Sequence, residues 1–220
     1  MVSQRGSLSP PLAFVASLCL SLSALTLHCG PATDQREATA TLEGILDVTA
    51  PPYSADAIGS KDSTQALQRA IDDARDRRLV VYLPPGIYRV SDTITANQQN
   101  QTVHDALLHR RDDFPCIIWG GTYGGRARIV LADRSPGFAD PDNPKPVLYF
   151  ISWKGPNQPD NPNISFNQLL VSVDFDLGQG NAGAIAVDHQ GAQGCATEDV
   201  HVQARDGFAG FRGAHGSGGS

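Results

Sequence analysis

Leu79-Val80-Val81-Tyr82-Leu83-Pro84-Pro85-Gly86-Ile87-Tyr88-Arg89-Val90-Ser91-Asp92-Thr93-Ile94 is the stretch on which the fold turns. Two short runs rich in Val, Ile and Tyr favour strands, and Pro-Pro-Gly between them marks a tight reversal, read as a hairpin. Just before it, Ala66, Leu67, Ala70, Ile71 and Ala74 recur at helical spacing and define one apolar face of a helix over residues 62–78. Asp62 or Ser63 can cap that helix, with Gln65 three residues after Asp62 in a capping-box-like arrangement. Arg75, Arg77 and Arg78 suit its negative C-terminal end.

Strand signals continue outward from this core. Residues 44–48 read as a first strand stopped by Pro51-Pro52, and residues 53–61 as a loop. Residues 116–119, 127–132 and 147–153 follow as strands, the last apolar on both faces and so expected to be buried on both. Proline- and asparagine-rich loops separate them, and long loops on a solenoid are where binding is expected. From 169 to 177 the odd positions Leu169, Val171, Val173, Phe175 and Leu177 are apolar, while Ser172, Asp174 and Asp176 face the other way. Ile185 and Val187 repeat the pattern with Asp188 outward, and Val200 and Val202 repeat it with His201 outward. Val171 and Val200 stand 29 positions apart, which predicts solenoid coils of more than one strand with those two valines stacked; a β-sandwich would give a similar alternation.

The chain of 220 residues allows one domain of ordinary size, and 22 Gly with 15 Pro make it turn-rich. A net charge of −6 argues against a nucleic-acid partner, which would want a basic face. Arg5 and the apolar run from Leu12 to Leu27 have the layout of a secretory signal peptide. Gly30 and Ala32 favour cleavage after Ala32, so residues 1–32 read as signal, 33–43 as linker and 44–220 as the folded part. A secreted or cell-envelope location follows. Cleavage after Ala24 is an alternative, and Leu25-Thr26-Leu27-His28-Cys29 leaves open a lipoprotein anchored at Cys29, the one route to a membrane. After cleavage Cys116 and Cys195 remain, and in an oxidising compartment they either pair or sit as two buried thiols in separate coils. No Cys/His spacing resembles a zinc site, and neither metal nor cofactor is expected.

The segments Asp47-Val48, Asp62 to Ala74, and Val80 to Val90 resemble the opening of the pectate-lyase-like superfamily of right-handed parallel β-helices. The resemblance implies an all-β, single-stranded solenoid with an N-terminal capping α-helix. Ser54-Ala55-Asp56-Ala57-Ile58-Gly59 departs from the Gly-Asp-Gly approach more usual there. Residues 180–188, 192–195, 198–200 and 213–219 look like glycoside hydrolase family fifty-five, exo-β-1,3-glucanases built from two β-helices in tandem. That likeness implies a polysaccharide partner and a longer full-length protein, since the chain stops inside a glycine-rich turn at Ser220. The glucanase catalytic acid belongs to the later part of those molecules, and no residue here matches it.

Glycoside hydrolysis uses two carboxyl groups, roughly 5 Å apart for retention and about 6.5–9.5 Å for inversion. Asp174 and Asp176, two apart on a strand with a rise of ~3.3 Å per residue, would stand about 7 Å apart, with Asp188 a third candidate from the next strand. On a strand such acids are more often solvated surface. Asp188-His189 and Glu198-Asp199-Val200-His201 invite a triad, but no Gly-x-Ser-x-Gly elbow supplies a nucleophile. Arg205 and Arg212 would suit a lyase, yet no acidic cluster in the sequence is evidently paired with them. Trp119, Tyr123 and Trp153, with His189, are the substrate-binding candidates, because an aromatic ring packs on the flat face of a sugar; aromatics in such runs more often belong to the core. A non-catalytic glycan-binding adhesin or tailspike-like β-helix, and a pectin or pectate lyase, stand as the alternatives to a β-1,3-glucan hydrolase.

Overall fold

The computed structural model describes residues 41–42, 44–98, 114–152 and 162–213. The signal region, the linker up to residue 40, Cys29 and Trp153 lie outside the described residues.

The chain visits three parallel sheets in turn. One sheet holds β2 (Ile45–Asp47), β4 (Val80–Leu83), β7 (Ile117–Gly120), β10 (Leu169–Val171) and β13 (Ala196–Glu198), with β1 (Thr41–Leu42) antiparallel at its edge. The second holds β3 (Ile58–Asp62), β5 (Gly86–Val90), β8 (Ala127–Leu131), β11 (Val173–Asp176) and β14 (Val202–Gln203). The third holds β6 (Ile94–Asn97), β9 (Lys145–Ile151), β12 (Ala184–His189) and β15 (Ala209–Gly213). Every strand after β1 pairs in parallel with the strand one coil away, which is the topology of a parallel β-helix. Inward positions of all three sheets fill one core, with Leu46, Val81, Ile118 and Leu170 from the first, Tyr88, Ile129 and Phe175 from the second, and Leu148 and Phe150 from the third.

The helix α1 (Thr64–Arg77) follows β3, where later coils place a third-sheet strand. It buries Leu67, Ala70, Ile71 and Ala74, the face its spacing predicts. Each of the larger side chains removed from water contributes about 1.5–3 kcal/mol. Its start is tied differently from the expected box: Ser63 is the N-cap but makes no side-chain cap bond, and the Asp62 carboxylate instead accepts from Thr64 N at 2.7 Å. Arg78, left-handed at φ 60°, ends it. The Gln68 side-chain amide donates to Thr95 O at 2.9 Å and accepts from Thr95 N at 2.8 Å, which satisfies the open edge of β6.

Three expectations change. The Pro-Pro-Gly element is a corner and not a hairpin, because β4 and β5 enter different sheets and pair with neighbouring coils. Gly86 is required there because a Cβ would come within 2.5 Å of Ala57 O. Residues 169–177 are two strands and not one: Ser172, at φ 58°, bends the chain between sheets and shifts the inward phase to Leu170, Val173 and Phe175. Phe175 therefore pairs with Val202, and Ser172 meets Asp199 across 27 residues, so Val171 and Val200 are not stacked. Residues 58–61, expected as loop, and Asp62, expected to open the helix, form β3. Of the two arrangements left open for Cys116 and Cys195, the structure has the second: they form no disulfide and lie buried in separate coils. They flank Gln168 in the ladder, one coil on either side, since Leu169 pairs with both Ile117 and Ala196. Two strand spacings of ~4.8 Å exceed the ~7 Å Cα separation a disulfide spans. Burial pushes the Cys116 thiol up to about 12.

Candidate functional site

The outer face of the second sheet carries a cluster of charged side chains. Register aligns Ile58, Ile87, Arg128 and Asp174 in one row across successive coils, and Arg89, Val130, Asp176 and Gln203 in another. Asp174 is only 5% exposed. Arg126, on the corner before β8, grips it with Nε at 3.0 Å from each carboxylate oxygen and Nη2 at 2.9 Å. The same guanidinium reaches Asp199 with Nη1 at 2.8 Å, and Ser172 Oγ donates to Asp199 at 2.8 Å. His201 Nδ1 lies 3.0 Å from Asp174 Oδ1. Burial pushes the Asp174 carboxyl up, but the bonds from Arg126 and His201 outweigh it and hold it below the usual carboxylate range. Asp176 receives Arg205 Nε at 2.6 Å and Nη2 at 2.7 Å, and that pairing, against burial, holds it low too.

Arg128 differs from these arginines: its side chain makes no ion pair or hydrogen bond among the described residues. A cavity of ≈ 490 Å³ opens beside it, lined also by Pro85, Gly86, Ile87, Gly125 and Asp174. Arg126 lines it as well, but its guanidinium is taken up by Asp174 and Asp199, so the fork the cavity offers is that of Arg128, beside the apolar Pro85 and Ile87. That combination binds a planar oxyanion such as a carboxylate and the carbon skeleton attached to it.

The sequence-derived candidates separate in space. Asp174 and Asp176 do share one face of β11, as their spacing requires, but each is an arginine-paired anion and not a solvated acid. Neither has the raised pKa of a general acid. Asp188 does not join them, because β12 belongs to the third sheet. It is 1% exposed and paired with Arg212 Nε at 2.8 Å and with Gln190. Arg205 and Arg212 thus do have acidic partners, which the sequence concealed. His189 does not face a ligand surface: it is 2% exposed, its ring centroid lies 4.4 Å from that of Phe150, and Nδ1 is 3.0 Å from Thr197 Oγ1. Burial lowers its pKa to about 4. Trp119 and Tyr123 are not core, being 54% and 98% exposed.

Sequence reasoning missed Arg126 and Arg128, and it set Asp199 aside when no nucleophile elbow accompanied it. A usable signal existed, an outward acid followed one coil later by a polar or basic residue, but it needs the 27-residue register that separates Asp174 from His201.

Residues 49–107 match the family described as Rhamnogalacturonase A/epimerase, pectate lyase-like. That span contains β3, α1 and β4 to β6. The first coils are therefore similar to pectate-lyase-like proteins. Among solved structures, ORF18 of Geobacillus virus E2 aligns with a TM-score of 0.42 and 19% identity, covering 76% of this chain and 26% of that one. The chain thus spans about a quarter of that protein's length. No curated protein matches the chain.

Proposed function

We propose that this chain is the polysaccharide-engaging portion of an exported, right-handed β-helix protein, and that its glycan lies in the cavity on the second sheet. The observation that carries this is the exposed Arg128 guanidinium beside Ile87, with no acid of the chain occupying its donors among the described residues. A uronate carboxylate meets such a fork with two parallel hydrogen bonds. The pectate-lyase-like match over residues 49–107 supports a substrate of that chemistry.

Hydrolysis of β-1,3-glucan is the finer reading from the sequence. It needs a carboxyl pair with one member protonated, and Asp174 and Asp176 are both held as anions by arginine. On this reading neither Asp174 nor Asp176 supplies the general acid. Affinity electrophoresis of the 220-residue chain in gels containing polygalacturonate tests the proposal. Retardation is expected, and Arg128→Ala should weaken it about tenfold, the loss of roughly 1.4 kcal/mol of binding. Unretarded wild-type protein in polygalacturonate, rhamnogalacturonan and laminarin gels alike would overturn it.

A further inference from the structure

We infer that the outer face of the first sheet is a second glycan subsite, one that takes neutral sugar rings and continues around the corner into the Arg128 cavity. The inference rests on the polysaccharide reading above and deepens it. Outward positions of β2, β4, β7 and β10 form two apolar rows. Ile45, Val80, Ile117 and Leu169 align in one, and Tyr82, Trp119 and Val171 in the other. All are partly or well exposed, Trp119 most of all at 54%. A face like this on a soluble solenoid normally carries polar residues; an uninterrupted apolar strip across four coils marks a binding surface.

Charge selects the occupant. The second row begins at Asp47 and ends at Glu198, one register step beyond each end of the aromatic pair and its valine. The two rows carry no lysine or arginine. A polyanion, whether uronate chain or nucleic acid, gains nothing there. A neutral hexose stacks its C–H face on an indole or phenol ring and donates hydroxyl protons to rim carboxylates, which only accept.

Continuity with the cavity supports the same occupant. A Cβ on Gly121 would lie 2.6 Å from Tyr82 Oη and 2.5 Å from Pro85, so the tyrosine tip, the turn after β7 and the Pro85 corner pack together. Pro85, Gly124 and Gly125 line the cavity, and Tyr123, 98% exposed, sits in the same turn. A chain seated on Trp119 and Tyr123 can therefore run on to Arg128.

Isothermal titration with laminarin, a neutral β-1,3-glucan, and with polygalacturonate separates the two subsites. Trp119→Ala should weaken laminarin binding at least tenfold while polygalacturonate binding holds, and Trp119→Phe should restore most of it. Arg128→Ala should do the reverse. Retained polygalacturonate affinity shows that Trp119→Ala is folded, and Tyr123→Ala, at a fully exposed turn, gives an independent reading. If the wild type binds polygalacturonate but not laminarin, or Trp119→Ala binds laminarin unchanged, the inference fails and the Arg128 proposal stands. Binding of neither glycan sinks both. Light scattering that shows a wild-type dimer converted to monomer by Trp119→Ala would assign the face to a second copy and overturn the inference.

Discussion

His189 shows how a single residue's setting can contradict its chemistry on paper. As a titratable ring next to Asp188 it reads as a ligand-binding group. In the fold it is interior, stacked near Phe150, and its Nε2 has no hydrogen-bond partner among the described residues. Burial favours the neutral ring, so its folded pKa, about 4, lies below the ordinary 6.5. Between those values the unfolded chain binds a proton that the folded chain does not. Stability should be full above about pH 6.5 and fall as the pH drops towards 4, by about 3 kcal/mol in all. Urea titrations across pH 4–7 should show this slope in the wild type and a flatter one in His189→Leu. An equal slope in both would assign the acid sensitivity elsewhere.

At the scale of elements, the corners do more than the strands to define the coil. The α1 helix and the strand-forming runs were readable from spacing and composition, because helical and strand periods depend only on local sequence. The corner at Pro84-Pro85-Gly86 was readable as a reversal but not as a change of sheet, since a hairpin and a corner use the same residues. Its packing is tight: Gly86 N donates to Arg126 O at 3.1 Å and Ile87 N to Ala57 O at 2.8 Å, so the backbone cannot swing away from Ala57. Gly86→Ala should therefore cost about 1–3 kcal/mol and lower the melting temperature by several degrees. A thermal scan with an unchanged midpoint would show that the corner has slack. Ser172 is the second such corner, and there the left-handed residue is serine, which gives no signal as strong as glycine would.

Over the whole molecule, arginine–carboxylate pairs cross from coil to coil. Arg126 spans three coils through Asp174 and Asp199, Arg205 joins the fifth coil to the fourth through Asp176, and Arg212 does so through Asp188. The Arg212 pair is the most buried on its acidic side, with the Asp188 side chain 1% exposed. Removing one partner strands a buried charge, so Arg212→Ala should destabilise the protein by roughly 3 kcal/mol and loosen β15 from β12. Hydrogen exchange should speed up at residues 209–213 first; uniform exchange along the chain would show that the pair does not hold the last coil. These pairs also bear on the proposed function, because they hold Asp174 and Asp176 as anions and leave Arg128 outside any ion pair among the described residues.

The sequence alone determined the helix, most strands, the alternation within single strands, and the likeness of residues 49–107 to pectate-lyase-like proteins. These depend on local period and turn chemistry. Only the tertiary structure decided which residues meet. Period-two alternation states which face a residue takes but not which partner lies one coil away, and loops of unequal length between strands make that register unreadable. Hence Asp174 and Asp176 were legible as a pair, while Arg126 and Arg205 as their partners were not. The exposed Trp119 could not be told from a core residue for the same reason: Ile117, Ile118 and Trp119 are all apolar, and only the direction of the strand within its sheet places Ile118 inside and Trp119 in water.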